Sequence, residues 1–140
     1  MPKVTFEIFV NADLQKTFKI LTDFENFESI LPEYYSLITT KSVRDESSLA
    51  VEHLHLLGNE FVIMAKHFIK LPNIHEMRVI GGDIKGSYMI EKVIESNDKT
   101  KIIVDVDIKT SKRLKNIFNT TNYENEIKLL YQQFVKVIEN

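Results

Sequence analysis

The chain of 140 residues contains no cysteine and no tryptophan. Without cysteine there are no disulfides, no thiolate metal sites and no cysteine nucleophile. Turn-forming residues are scarce too: the prolines are Pro2, Pro32 and Pro72, and the glycines Gly58, Gly81, Gly82 and Gly86. Scattered in this way they punctuate the chain rather than divide it. There is no repeat, low-complexity tract or linker, so a single domain over residues 1–140 is expected. No apolar run approaches the roughly 18 residues of a membrane span. The first ten residues are too short and too polar for a signal peptide, so a cytoplasmic location is the expectation. Neither sign of charge dominates. A net charge of −2 argues against nucleic acid as a partner. Phosphate loops, nucleophile elbows, HExxH and paired-carboxylate motifs are all missing, and no cofactor is expected.

What remains is an ordinary globular mixture, 44% hydrophobic and 27% charged. A chain of this length buries roughly 70% of its unfolded surface, enough for a real core. Val4, Phe6, Ile8 and Val10 alternate as a strand. Asn11 is then placed to cap a helix, with Asp13 in its first turn and Leu14, Phe18 and Leu21 at helical spacing. A second short helix is expected from about Phe24, with Phe27, Ile30 and Leu31 on one stripe and Pro32 as its stop. From 33 to 109 strand follows strand: 49–57 and 60–71 around a Gly58-Asn59 turn, then 73–80, 85–95 and the alternation of Ile102, Val104, Val106 and Ile108. Ile127, Leu130, Tyr131, Phe134 and Ile138 recur at three- and four-residue steps, the mark of a C-terminal amphipathic helix. Thr121 and Glu124 have capping-box spacing and could start that helix afresh; Leu114, Ile117 and Phe118 belong to it or to a separate turn. A run of strands flanked by helices implies an α+β fold with an antiparallel meander. A curved sheet cannot seat flush on a straight helix, and the gap is a pocket for an apolar ligand.

The hairpin sorts side chains by face. With Gly58-Asn59 as its loop, Leu57 pairs with Glu60, His55 with Val62, His53 with Met64 and Ala50 with His67. Ala50, Glu52, Leu54 and Leu56 then share the inner face with Phe61, Ile63, Ala65, His67 and Ile69. His53 and His55 point the other way, so the three histidines do not converge and no metal site is expected. Glu52 and His67 are the polar residues on the inner face. They read either as a pocket pair, able to bind a polar group or act as acid and base, or as an ion pair at the sheet's rim. Val51, Val62, Met64 and Phe68 on the outer face raise the expectation of a homodimer.

Two stretches carry a family resemblance. Phe9-Val10-Asn11-Ala12-Asp13 through Leu21-Thr22-Asp23-Phe24-Glu25-Asn26-Phe27, ending at Leu31-Pro32, resembles the opening of START/SRPBCC (Bet v 1-like) proteins. Gly82-Asp83-Ile84-Lys85-Gly86-Ser87-Tyr88-Met89-Ile90 resembles a strand of the coenzyme-Q-binding and polyketide-cyclase-like branch. The resemblance implies a helix-grip fold: a curved antiparallel sheet of about six to seven strands wrapped around a long C-terminal helix, with two short helices after the first strand. It implies that Tyr88 and Ile90 look inward. The hollow is then expected to be lined by Glu52, Leu54, Phe61, Ile63, His67, Arg78, Tyr88, Ile90, Val104, Val106, Tyr131 and Phe134. Arg78 could meet a ligand carboxylate or phosphate; the tyrosines, Tyr34 and Tyr35 included, suit an amphipathic ligand.

Three functions follow as expectations. The first is binding or transport of a small hydrophobic ligand such as a lipid, quinone or isoprenoid. The second is a polyketide cyclase or dehydratase using Glu52 and His67. The third is an interaction protein of the ribosome-associated toxin kind, using the basic cluster Lys109, Lys112, Arg113 and Lys115.

Overall fold

The structure, a computed structural model, describes residues 3–111, 114, 117–118 and 120–140. Seven strands form one antiparallel sheet: β1 (Lys3–Val10), β2 (Tyr35–Val43), β3 (Ser47–Leu56), β4 (Asn59–Lys70), β5 (Ile74–Gly82), β6 (Tyr88–Ser96) and β7 (Lys99–Asp107). Helices α1 (Leu14–Thr22) and α2 (Phe27–Ile30) follow β1, joined by a short 3₁₀ turn, and α3 (Thr120–Glu139) ends the chain. The spatial order is β1-β7-β6-β5-β4-β3-β2, so the first strand closes against the last and the meander runs outward from there.

Local chemistry explains the elements. The α1 cap is Asp13, two residues later than Asn11, because its carboxylate accepts the Lys16 N–H at 2.7 Å. The Leu21, Phe24, Phe27 and Leu31 side chains bury the helical segment onto the sheet. The β6–β7 turn takes Asn97 and Asp98 in the left-handed region, a tight hairpin that these short polar residues tolerate.

The β3–β4 turn differs from the sequence expectation. Its loop is Leu57-Gly58, and Leu56 pairs with Asn59. Both loop residues have positive φ, and the Leu57 N–H is anchored by Glu126 Oε2 of α3 at 2.5 Å. Pairing is thereby displaced: His55 meets Glu60, His53 meets Val62, Ala50 meets Ala65 and His67 meets Ser48. A two-residue displacement keeps every side chain on its face, so the inner and outer sets stand as expected. Bulges at Met64/Ala65 against β5 and in the β2–β3 pair bend the sheet. Beyond the first of these, opposite Ile63, Gly82 has φ +80° and a Cβ there would lie 2.4 Å from the Val62 carbonyl, so only glycine fits.

The concave face packs on α3, with Tyr131, Phe134 and Ile138 buried. The helix starts at Thr120, and the described residues before it, 114, 117 and 118, are not helical. Lys112, Arg113 and Lys115 of the basic cluster lie outside the described residues. On the outer face Val62, Met64, Leu37 and Ile80 are exposed. No described helix is long and apolar enough to cross a membrane.

Candidate functional site

A row of polar side chains runs diagonally across the strands of the concave face. Glu52 stands on β3, His67 on β4, His75 on β5 and Glu91 on β6, and each is no more than 2% exposed. Glu52 Oε2 lies 2.5 Å from His67 Nε2, His67 Nδ1 lies 2.9 Å from His75 Nε2, and His75 Nδ1 lies 2.8 Å from Glu91 Oε1. The Tyr131 hydroxyl of α3 bonds Glu91 Oε2 and also touches Met89 Sδ at 2.9 Å. The result is one chain of hydrogen bonds, Glu52–His67–His75–Glu91–Tyr131, spanning four strands and the terminal helix.

Each link has a local cause. Ala50 and Ala65, paired between Glu52 and His67, are too small to block the carboxylate's reach across the bent sheet. His75 and Glu91 are direct cross-strand partners. Phe24 lies flat on the His67 ring, 4.0 Å between centroids and 9° from parallel, and seals it from water. Burying four ionisable groups without partners would be prohibitive. Here both nitrogens of each imidazole and at least one oxygen of each carboxyl are engaged, which is the condition under which such a network is tolerated. Burial and the adjoining Glu91 hold the Tyr131 hydroxyl well above the usual phenol range, so it is a proton donor. Tyr35 is pushed up in the same way, by burial first, then by Glu52 and Glu91.

Two small spaces lie between the sheet and α3 beside the chain. One, about 50 Å³, is apolar and lined by Tyr35, Leu54, Ile63, Val106, Leu130 and Tyr131 among others. The second, about 30 Å³, is bounded by Glu52, His67, His75, Glu91 and Phe134. Tyr35, Met77, Met89, Leu130 and Tyr131 form the partition common to both. A water needs about 10–15 Å³ on this scale, whereas pockets for drug-sized ligands measure about 300–1,000 Å³. The interior is therefore far fuller than a preformed lipid cavity. The partition, however, contains two methionines, flexible side chains that repack around a guest. A larger hollow of about 710 Å³ between α1 and the Leu71-Pro72 turn is an open surface groove without a buried polar group.

The sequence expectations sort cleanly against this geometry. Leu54, Ile63, Tyr88, Val106 and Tyr131 line the apolar space, and Glu52, His67 and Phe134 the polar one. Glu52 and His67 are inside, not at the rim. Phe61 and Val104 are buried but line neither space; Phe61 packs on Phe118 at 5.3 Å. Arg78 is a correction: its side chain is 57% exposed on the outer face and pairs with Glu76 at 2.5 Å. Ile90 is another. Inward positions on β6 are Met89, Glu91 and Val93, so Ile90 faces away, between Glu76 and Asp105. His53 and His55 are on the outer face, bonded to Glu60 at 2.9 Å and Ser36 at 3.0 Å. Among the described residues no group of three His, Asp or Glu side chains is placed to hold a metal. His75, Glu91, Met77 and Met89 went unnoticed in the sequence. The signal for Glu91 was there: it is a charged residue in phase with Met89 and Val93.

No family profile matches the chain, and no curated protein matches it in sequence. Solved structures do match. A START superfamily protein from Mycobacterium smegmatis superposes with TM-score 0.78 at 14% identity, over 98% of this chain and 94% of the other. The Zhui aromatase/cyclase from Streptomyces sp. R1128 gives 0.72 at 9%, over 97% and 90%. Major latex-like protein 151 from Panax ginseng gives 0.80 at 10%, over 99% and 97%. With the bent seven-stranded sheet closed on its terminal helix, these likenesses establish that the chain has a helix-grip fold, the fold it shares with these solved structures.

Proposed function

We propose that the chain binds a small, mainly apolar molecule with one polar end, its body between the sheet and α3 and its polar end at Tyr131. One observation supports this above the others: a fully buried chain of carboxyl and imidazole groups ends at the Tyr131 phenol, and Tyr131 lines an apolar space inside the sheet–helix interface. A fold that needed only stability would fill these positions with aliphatic side chains, which often serve as well or better. The sizes of the two spaces limit the guest. A molecule of a few heavy atoms enters with modest repacking; a quinone, isoprenoid or lipid requires Met77 and Met89 to swing aside and merge them. Native mass spectrometry of protein from its host tests this. A mass excess lost on denaturation is expected, and it should vanish in Leu130→Trp, which fills the apolar space. Identical native and denatured masses, with no thermal shift from any small apolar compound, would remove the reading.

The second reading, an acid–base enzyme of the cyclase or dehydratase kind, gains from a specific contact. Glu52 and His67 meet at 2.5 Å, fully buried, inside the interior where a substrate would sit. Conversion of a carbonyl-bearing substrate by the wild type and its loss in Glu52→Gln would support this reading; turnover unchanged in Glu52→Gln would exclude it.

A further inference from the structure

The bonds of the buried chain can be counted in protons. Four hydrogen bonds link Glu52, His67, His75, Glu91 and Tyr131, and each needs one proton. A fifth contact, Tyr131 hydroxyl to Met89 sulfur at 2.9 Å, has room for one more. With five protons every group is neutral and all bonds point one way. Glu52 donates to His67 Nε2, His67 Nδ1–H to His75 Nε2, His75 Nδ1–H to Glu91 Oε1, Glu91 Oε2–H to the Tyr131 oxygen, and the Tyr131 O–H to sulfur. With four protons the chain runs in reverse: Tyr131 donates to Glu91, and His67 donates to an ionised Glu52. The two states differ by one proton, and both keep the four links satisfied.

Sulfur is a weak acceptor. Tyr131 also forms part of the partition between the apolar space and the polar one. An oxygen on a guest in the apolar space would take the place of Met89 sulfur and receive a full hydrogen bond.

We propose that Glu52–His67–His75–Glu91–Tyr131 is a one-proton relay. Its terminal donor, Tyr131, serves the carbonyl or enolate oxygen of an apolar molecule bound between sheet and helix. The transfer balances. Tyr131 gives its proton to the guest oxygen and takes one from Glu91; Glu91 takes one from His75, His75 from His67 and His67 from Glu52. An enolate becomes an enol, Glu52 becomes a carboxylate, each imidazole exchanges its tautomer, and no other charge changes. The relay is reversible: when the guest oxygen gives the proton back to Tyr131, each transfer runs backward and Glu52 is protonated again. This relay rests on the binding reading above and adds the chemistry of the ligand and the residue that meets it.

The probe is cyclopentanone labelled at the carbonyl carbon, studied with the whole chain. Binding is followed by saturation-transfer NMR and the carbonyl stretch by infrared spectroscopy. The expected result is a bound ketone whose stretch falls below its value in alkane solvent. In Tyr131→Phe the ketone should still bind, with the stretch back near the alkane value. Glu52→Gln should preserve the lowered stretch, because its amide N–H holds the chain in the same direction. An equal stretch in wild type and Tyr131→Phe overturns the relay and leaves the binding reading intact. No binding to either protein removes both. Imidazole nitrogen NMR is the independent check. Tyr131→Phe should move the ring signals of His67, three hydrogen bonds away, and unmoved His67 signals also overturn the relay.

Discussion

Replacing Glu91 by glutamine and by leucine separates two descriptions of the buried chain. Leucine leaves the His75 Nδ1–H and the Tyr131 hydroxyl without their carboxyl partner. An orphaned buried polar group costs about 1–3 kcal/mol, so the pair costs roughly 2–6 kcal/mol. Glutamine fits the neutral, one-way chain: its carbonyl accepts from His75 and its amide donates to the Tyr131 oxygen, which keeps sulfur as its own acceptor. Its loss should stay below about 1 kcal/mol. If the chain instead held an imidazolium between two carboxylates, glutamine would strand a buried charge at roughly 3–5 kcal/mol. The assay is urea unfolding followed by circular dichroism, with an unchanged slope required before midpoints are compared. In thermal unfolding, 1 kcal/mol corresponds to about 3–5 °C for a chain of this size. Near wild-type stability for Glu91→Gln with a large loss for Glu91→Leu is the expected pattern. Equal, large losses for both would refute the neutral chain.

Other consequences are local. Asp13→Ala removes the α1 cap and should cost about 1 kcal/mol in the same unfolding assay, whereas Asn11→Ala should cost little. Gly82→Ala forces a Cβ against the Val62 carbonyl at a positive φ and should cost at least about 1–3 kcal/mol; a neutral outcome would contradict this close approach of β5 to β4. Tyr35, Tyr123 and Tyr131 all have raised phenol pKa values, with burial as the first cause. Their folded values exceed the unfolded value near 10, so the stability they contribute is complete below pH about 10 and is lost as pH rises beyond it. Ultraviolet titration should show these three ionising only with unfolding, and early ionisation of all five tyrosines would contradict their burial.

Much of this fold could be read from alternation. Strand order, the two helices after β1, the terminal helix and the inner face of β3 and β4 follow from period-two and helical spacing, which local sterics impose whatever the tertiary context. Pairing in the β3–β4 hairpin was displaced by two residues because turn chemistry at Gly58 cannot reveal that Glu126, distant in sequence, anchors the Leu57 N–H. That error was harmless because the displacement was even. On β6 Tyr88, at the strand's start, does line the apolar space, but carrying its phase on to Ile90 turns the rest of the strand over, because Met89, Glu91 and Val93 face inward. That phase hides Glu91, one of the five members of the polar chain. Arg78 was misplaced because its charge suggested a ligand, whereas alternation from His75 and Val79 puts it outside. Glu52 and His67 were visible as polar residues on an apolar face. Tyr131 is expected in the hollow from the helical spacing, but its bond to Glu91 and the link through His75 are not, since contacts between elements leave no spacing signal.

The most direct test of the central claim is a high-resolution crystal structure of the protein as purified, inspected beside the Tyr131 hydroxyl. Electron density larger than water, running from that hydroxyl into the space lined by Leu54, Ile63 and Val106, is the expected result. Isolated waters alone, with Met77 and Met89 closed against Leu130 in crystals soaked with small ketones, would contradict it.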